Sequence, residues 1–194
     1  GEFLGLAGHT GSGKSTLVQH LNGLIHPQEG SVCALGFDLS SKKDAAAVKA
    51  KVGVVFQYPE RQLFAETVAR DVAFGPRNLG LPQDEVARRV ASSLARVGLD
   101  LAAIGDKSPF ELSGGQQRRV AFAGVLAMES EVLVLDEPMA GLDPAARGDF
   151  LGLIDRLHRE GLTVVMVSHS MDDLANCCDR IVVMNEGAVF AEGT

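Results

Sequence analysis

Residues 8–16 constrain this chain more than any other stretch of its sequence. They read Gly8, His9, Thr10, Gly11, Ser12, Gly13, Lys14, Ser15 and Thr16. The apolar run before them, Phe3–Ala7, predicts a buried strand, and apolar residues after them recur at positions 17, 18, 21, 24 and 25, the spacing of a helix face. A strand, a glycine-rich turn, Lys-Ser and a helix together form the context of a phosphate-binding P-loop.

The chemistry of such a loop suits a triphosphate. Glycines let the backbone N–H groups turn toward one anion, and the helix start adds unpaired donors and a partial positive charge. Lys14 is expected to bridge the β- and γ-phosphates and to act in catalysis, and the Ser15 hydroxyl to ligate Mg²⁺. The alternative is a plain glycine-rich turn with a solvated lysine, which the flanking strand and helix disfavour. The sequence predicts a nucleoside triphosphate site.

Length and charge limit the remaining classes. A chain of 194 residues suffices for one well-buried α/β domain with an inserted subdomain. A net charge of −7 argues against a generic polyanion-binding surface, so no nucleic acid partner is expected. The three cysteines, Cys33, Cys177 and Cys178, lack metal-ligand spacing and are expected to be reduced packing groups. No apolar run reaches the roughly 20 residues that span a bilayer, so we expect any membrane connection to run through a partner protein.

The chain alternates apolar runs with helical patterns. Buried strands are predicted over residues 51–57, 131–138 and 162–169, a short strand over 31–38, and a hairpin over 180–190 that turns at Glu186-Gly187. An exposed helix is predicted over 40–50. Another follows Pro144, with Phe150, Leu151, Ile154 and Leu157 facing inward. Alternation of this kind indicates an α/β fold with a mainly parallel sheet covered by helices on both faces.

The middle of the chain differs in character. Turn signals at residues 58–59, 75–76 and 80–82 separate helical patterns, and nothing there alternates like a strand. The clearest helix begins near Pro82, carries Val86, Val90, Leu94 and Val97 on one face, and closes at Gly98. Another helix is expected from Ser113 to about residue 128. We interpret residues 58–128 as a helical subdomain inserted into a core of residues 1–57 and 129–194.

Polar residues stand where the predicted core strands end. Gln57 ends one predicted strand, Asp136 and Glu137 lie at the end of the next, and His169 ends a third. Because ligands gather at the carboxyl ends of parallel strands, these residues are expected to meet at the P-loop. Asp136 suits a Mg²⁺ ligand, and Glu137 a general base for the attacking water. Gln57 is a candidate ligand of Mg²⁺ or of that water through its amide oxygen.

Two of these assignments have structural alternatives. A pair such as Asp136 and Glu137 can also be an exposed cap of the next turn. His169 is a candidate to donate to the γ-phosphate and to orient Glu137, although a lone histidine is more often structural, and only its place after an apolar strand favours function.

A second small-residue turn opens onto a helix at Ser113, Gly114, Gly115 and Gln116. A helix start of this kind can also bind an anion through its free N–H groups, although the glycine-rich cap of an ordinary helix would look similar. Two such helix starts in a chain with one P-loop favour a composite site.

Taken in order, these motifs resemble the ATP-binding cassette ATPases over nearly the whole chain. The resemblance rests on the P-loop, Gln57, Leu112 through Gln116 (LSGGQ, the signature of that family), residues 132–137, residues 140–143 and His169. It implies a P-loop NTPase fold with a RecA-like core, and a head-to-tail dimer that holds two ATP molecules with Mg²⁺. Ser113 and Gly115 would then contact the γ-phosphate on the partner's P-loop, and Asp143 would line the shared interface.

Within that family, residues 56–64, 68–80 and 118–128 resemble the ATPases of energy-coupling factor transporters and their cobalt or nickel relatives. That resemblance implies a second ATPase subunit, identical or paralogous, with a transmembrane scaffold and a substrate-binding membrane protein. It also implies that residues 58–128 dock on the scaffold at the cytoplasmic face of the membrane. The cargo would be a vitamin or a transition-metal ion.

Family members carry an adenine-stacking aromatic residue and antiparallel strands upstream of the P-loop. The sequence begins only seven residues before Gly8, so we expect it to be a fragment with these strands truncated, and to bind and hydrolyse ATP weakly by itself. A soluble cassette ATPase acting on DNA or ribosomes is the alternative function. The short interval between P-loop and signature, without heptads, and the acidic charge weigh against it. A P-loop kinase would leave the LSGGQ stretch without a purpose.

Overall fold

The longest apolar runs form one six-stranded sheet in a computed structural model that describes residues 1–194. Its strand order is β4-β5-β6-β1-β7-β8, and every neighbouring pair is parallel except β7 and β8. These strands are β1 (Phe3–Ala7), β4 (Val52–Val55), β5 (Val132–Asp136), β6 (Thr163–Val167), β7 (Arg180–Asn185) and β8 (Ala188–Gly193). The predicted mainly parallel sheet and the terminal hairpin are therefore present.

Both faces of the sheet bury apolar side chains, because neighbouring residues of a strand point in opposite directions. On one face, Val165 and Val167 pack with Val18 and Val48, which lie on helices α1 (Lys14–Leu21) and α2 (Lys42–Lys51). On the other face, Gly5 of β1 admits close approach of α8 (Met171–Cys177), and the Phe3 ring meets His158 of α7 (Pro144–Arg159) edge-on. Two helical layers thus enclose the strands, as continuous apolar runs predict.

The chain divides into two compact units. Unit 1 comprises Gly1–Gln57 and Glu131–Thr194, and unit 2 comprises Tyr58–Ser130. The interpretation of unit 1 as a RecA-like core and of unit 2 as an inserted subdomain stays a prediction.

Unit 2 is helical. Its α-helices are α3 (Val68–Asn78), α4 (Gln83–Arg96), α5 (Leu101–Ile104) and α6 (Gly114–Leu126), with 3₁₀ turns at Pro59–Gln62 and Pro109–Glu111. Helices α3, α4 and α6 pack on one another around Val72, Leu94 and Phe122, each fully buried. The buried Arg118 guanidinium pairs with both oxygens of Glu60, which ties α6 to the first 3₁₀ turn.

Two local predictions were wrong, and one helix was missed. Residues 31–38 form a small hairpin, β2 (Cys33–Ala34) with β3 (Phe37–Asp38), because Leu35 and Gly36 both take left-handed backbone angles and reverse the chain. Helix α8 was not predicted. On α7, Leu153 is buried while Leu151 is only half-buried, a shift of the inward face by part of a turn.

Two further observations concern thiols and membranes. Cys33 is exposed, contrary to the expectation that it is a packing group, whereas Cys177 and Cys178 are half-buried; all three are free, as expected. Burial raises the pKa of the Cys178 thiol to about 12. None of the helices combines the length and the apolar character that crossing a membrane requires.

Candidate active site

The P-loop connects β1 to α1 and depends on glycine at three positions. Gly8, Gly11 and Gly13 have φ angles of 145°, 85° and 97°, which side chains rarely allow. At Gly8 a Cβ atom would also lie 2.4 Å from the carbonyl oxygen of Met184. Gly13 precedes α1 without any side chain to cap it, so the first N–H groups of the helix stay available to an anion.

Lys14 folds back onto the loop that contains it. Its ammonium group donates to the carbonyl oxygens of Gly8 at 2.8 Å and His9 at 2.9 Å, and to Ser12 Oγ at 3.4 Å. Only 5% of the residue is exposed. The cation is therefore already held at the mouth of the loop, on acceptors that it can exchange for phosphate oxygens. The neighbouring Thr10, Ser15 and Thr16 are exposed.

Asp136 ends β5 beside the start of α1. Burial raises the pKa of its carboxyl group, the charge of Glu137 adds to that effect, and a hydrogen bond from the Ser15 side chain opposes it. A buried carboxylate next to a hydroxyl oxygen is a donor set that suits a hard divalent cation. The residues present therefore fit a Mg²⁺ ion held by Ser15 and Asp136.

Glu137 lies between two side-chain donors. His169 Nε2 is 2.5 Å from Oε1 of Glu137, and Gln57 Nε2 donates to Oε2 at 3.4 Å. The three residues follow β5, β6 and β4, which are neighbours in the sheet, so the strand order brings them together. The amide nitrogen of Gln57 makes this contact, and the role of its amide oxygen as a ligand of Mg²⁺ or of the water stays a prediction.

The backbone of Glu137 is unusual. Its φ is 50°, in the left-handed region, and its N–H group donates to the carbonyl oxygen of Val167 at 3.1 Å. A non-glycine residue in this region costs about 1–3 kcal/mol, and such residues concentrate at functional sites. The kink turns the Glu137 side chain out of the strand direction toward Gln57 and His169.

The signature residues belong to unit 2 and cap α6. Ser113 Oγ accepts from the Gln116 N–H at 3.4 Å, and Gln116 Oε1 accepts from the Ser113 N–H at 3.1 Å, which is a capping box. Gly114 and Gly115 are exposed, and a Cβ on either would meet no atom within 4 Å. The helix start is thus formed locally and presents an open backbone surface.

Asp143 caps the start of α7. One carboxylate oxygen accepts from the N–H groups of Ala145 and Ala146, both at 2.9 Å, and the residue is exposed. The same side chain that is predicted to line a dimer interface therefore also fixes its own loop.

Sequence reasoning missed one part of the site. The β7–β8 turn, residues 185–187, touches the P-loop through Asn185 and Gly187. The dipeptide Glu186-Gly187 predicted the turn, but its contact with a loop about 175 residues away in the chain has no local signal.

The fold and the side chains gathered at the P-loop identify the class of protein to which the chain belongs. The sequence model of the ABC transporter family matches residues 1–140, and the chain belongs to that family. Among its relatives, the energy-coupling factor transporter ATP-binding protein EcfA2 of Clostridium perfringens is 55% identical over 195 residues, covering 100% of this chain and 68% of that protein. EcfA2 of Symbiobacterium thermophilum is 60% identical over 195 residues, covering 100% of this chain and 67% of that protein.

Solved structures of related proteins have the same fold. The structure of cbiO1 from Clostridium perfringens, described as part of the ABC transporter complex cbiONQ, matches with a TM-score of 0.88 and 40% identity over 99% of this chain and 76% of that one. A dimeric ATP-binding cassette bound to ADP and Pi matches with a TM-score of 0.84 and 29% identity over 100% of this chain and 85% of that one. The predicted family and fold class are confirmed.

Proposed function

We propose that this chain is the ATP-binding and ATP-hydrolysing subunit of an energy-coupling factor ABC importer. The observation that carries the proposal is the carboxylate of Glu137, held by His169 and Gln57 at one sheet edge beside Lys14 and Asp136. A base, its two orienting donors and a buried lysine at a P-loop are the parts that phosphoryl transfer to water needs.

ATP is the substrate. The N–H groups of residues 8–16 bind its phosphates, and Lys14 exchanges its loop carbonyl partners for β- and γ-phosphate oxygens. Ser15 and Asp136 would hold Mg²⁺, with Gln57 as a further ligand. When bound, this ion neutralises charge that develops on the phosphate oxygens.

Hydrolysis starts from a water molecule next to Glu137. The carboxylate accepts a proton from that water as its oxygen bonds to the γ-phosphorus, and the bond from that phosphorus to the β–γ bridging oxygen breaks to release ADP. His169 fixes one oxygen of Glu137 and leaves the other to act with Gln57. Lys14 stabilises the transferred group through its charge.

The site is completed by a second copy or a paralogue. Ser113 and Gly115 of one subunit would contact the γ-phosphate held by the other, and Asp143 would line the same interface. The open backbone at Gly114 and Gly115 supports this role, since nothing in unit 2 occupies it. ATP then closes the dimer and hydrolysis reopens it.

Unit 2 is the part that docks on the membrane scaffold. Its surface carries the aromatic pair Phe64 and Phe74, 59% and 49% exposed, with ring centroids 4.8 Å apart. The Asp71 carboxylate accepts from the N–H groups of residues 64 and 65, which fixes that loop on α3. The subunit works peripherally at the cytoplasmic face, and a substrate-binding membrane protein selects a vitamin or transition-metal ion.

The test replaces Glu137 with glutamine. ATP binding should persist and hydrolysis should fall by about 100- to 10,000-fold, since an amide cannot accept the proton. The matched control is Glu131→Gln, just before the same strand, where an exposed glutamate pairs with Lys51 on the surface. Phosphate release and binding of a fluorescent ATP analogue measure the two activities.

One outcome tests the mechanism, and two others distinguish the transporter subunit from a soluble ATPase. Full hydrolysis by Glu137→Gln would remove Glu137 from the mechanism. Co-purification of the protein from membranes with a transmembrane scaffold supports the transporter role. Co-purification with ribosomes or DNA would replace it with the soluble cassette function.

A further inference from the structure

We propose that the β7–β8 turn is a second support of the P-loop, and that Asn185 is a positioning residue which acts on the loop through His9. The inference rests on the proposed ATP-binding function. It adds to the ATP site a turn between β7 and β8, whereas Gln57 follows β4 at the opposite edge of the sheet. It is carried by several independent contacts between the turn and the loop.

Backbone contacts bring the two segments together. The N–H group of Gly187 donates to the carbonyl oxygen of Ser12 at 3.1 Å. A Cβ added to Gly13 would lie 3.4 Å from the Gly187 Cα, and one added to Gly8 would collide with the Met184 carbonyl oxygen. Glycine in the P-loop therefore does two things: it allows the loop's own curvature, and it admits the neighbouring turn.

The side-chain contact is made by His9. Its Nε2 lies 2.9 Å from Asn185 Oδ1, and its Nδ1 lies 2.7 Å from the carbonyl oxygen of Thr10. Both partners are oxygen acceptors, and a neutral imidazole has only one N–H to offer. With the amide oxygen of Asn185 facing the ring, both contacts are satisfied together only when the ring is protonated, and the direction of the His9 pKa agrees with that state.

The groups around His9 shift its pKa in both directions. Hydrogen bonds to the Thr10 carbonyl and to Asn185 raise the pKa of His9, and the charge of Glu186 raises it further. Desolvation and the charge of Lys14 lower it. The turn thus supplies an acceptor and a carboxylate that favour the charged ring. The charge of Lys14 opposes it.

This support gains importance when nucleotide binds. The lysine now bonds the carbonyl oxygens of Gly8 and His9, and it must leave them to reach phosphate oxygens. The contacts at Ser12 and His9 from the β7–β8 turn do not involve Lys14. They are therefore the ones available to keep the loop in shape while the lysine changes partners.

The experiment compares Asn185→Leu, which removes the acceptor, with Asn185→Asp, which keeps an oxygen there. Val189→Ala, at an exposed position of the same hairpin, is the control. Loss of one positioning hydrogen bond should weaken the Kd for Mg-ATP by about fivefold in Asn185→Leu, while Val189→Ala binds like the wild type. Asn185→Asp is compared through the pKa of His9 alone, because its added charge also repels phosphate. The pKa of His9, followed by NMR, should fall in Asn185→Leu and hold or rise in Asn185→Asp.

A double-mutant cycle separates positioning from general structure. In a His9→Gln background, Asn185→Leu should have no further effect on the Kd if it acts through His9. An equal loss in both backgrounds, or an unchanged Kd and His9 pKa in Asn185→Leu, would overturn the inference. Absence of ATP binding by the wild-type protein would instead overturn the proposed function, and the His9 titration would still test the contact.

Discussion

Two donors with unequal contacts hold the carboxylate of Glu137. The His169 ring approaches one oxygen to 2.5 Å, whereas the Gln57 amide reaches the other at 3.4 Å, the outer limit of a hydrogen bond. Short contacts to an ionised group are the stronger ones. At the scale of single residues, His169 is therefore the main orienting partner of the proposed base.

This difference predicts a ranking of variants. His169→Ala should lower kcat by about tenfold or more, and Gln57→Ala by less than about fivefold at saturating Mg²⁺, because the first removes the stronger bond. Both should keep ATP binding by unit 1. Steady-state hydrolysis with a parallel binding assay measures the ranking, and a larger loss from Gln57→Ala would reverse it.

The cysteines allow a second prediction at this scale. Only thiolates are alkylated, and burial raises the pKa of Cys178 to about 12 and also raises that of Cys177. A raised pKa leaves less thiolate at any pH below it. Iodoacetamide at pH 8 should therefore modify the exposed Cys33 first, with Cys178 labelled only as the pH approaches 12 or the protein unfolds. Peptide mass spectrometry over time checks the order, and early labelling of Cys178 contradicts it.

At the scale of elements, the start of α6 combines two tasks in Ser113. Its hydroxyl caps the helix in the structure, and the proposed function also directs it to a partner's phosphate. The two tasks respond differently to charge. An aspartate caps a helix as well as a serine does, but it repels a phosphate.

Ser113→Ala and Ser113→Asp therefore separate the two tasks. The alanine variant should lose about 1 kcal/mol of stability through the missing cap. The aspartate variant should keep its stability and lose ATP-driven dimerisation and hydrolysis. Thermal melting and phosphate release give both readings, and an aspartate variant with full activity would exclude phosphate contact at Ser113.

Sequence patterns predicted elements where the signal was local. Continuous apolar runs gave β4, β5 and β6, and a Glu-Gly pair gave the β7–β8 turn. Helix α8 was missed because Leu174 is its one fully buried apolar residue, although Ser170 with Asp173 three residues later was a readable start signal. No sequence signal at Leu35 predicted the turn there, since leucine rarely adopts a left-handed backbone angle.

The candidate site also has parts that local sequence signals predict and parts that they do not. The P-loop and the strand-end residues could be predicted because each follows its own apolar run, and parallel strands bring such ends together. The direction of the Gln57 amide and the contact of Asn185 with His9 could not be predicted. Both depend on packing between segments far apart in the chain, where a rotation of one side chain decides the partner.

At the scale of the whole molecule, the proposed site is incomplete in one copy. Glu137→Gln should accumulate the closed state, since the variant binds ATP and does not hydrolyse it. Size-exclusion chromatography with light scattering should show a dimer in Mg-ATP and a monomer in ADP. The same substitution combined with Ser113→Asp should remain monomeric, and a dimer without nucleotide would contradict the proposed cycle.

The left-handed backbone of Glu137 has a consequence for selection. Glycine adopts that angle without strain, so a Glu137→Gly variant should melt at or above the wild-type temperature while it hydrolyses no ATP. A lower melting temperature would contradict this expectation. A screen of random variants for heat resistance alone would therefore favour chains that have lost their proposed base, and only a simultaneous demand for transport would keep the glutamate in place.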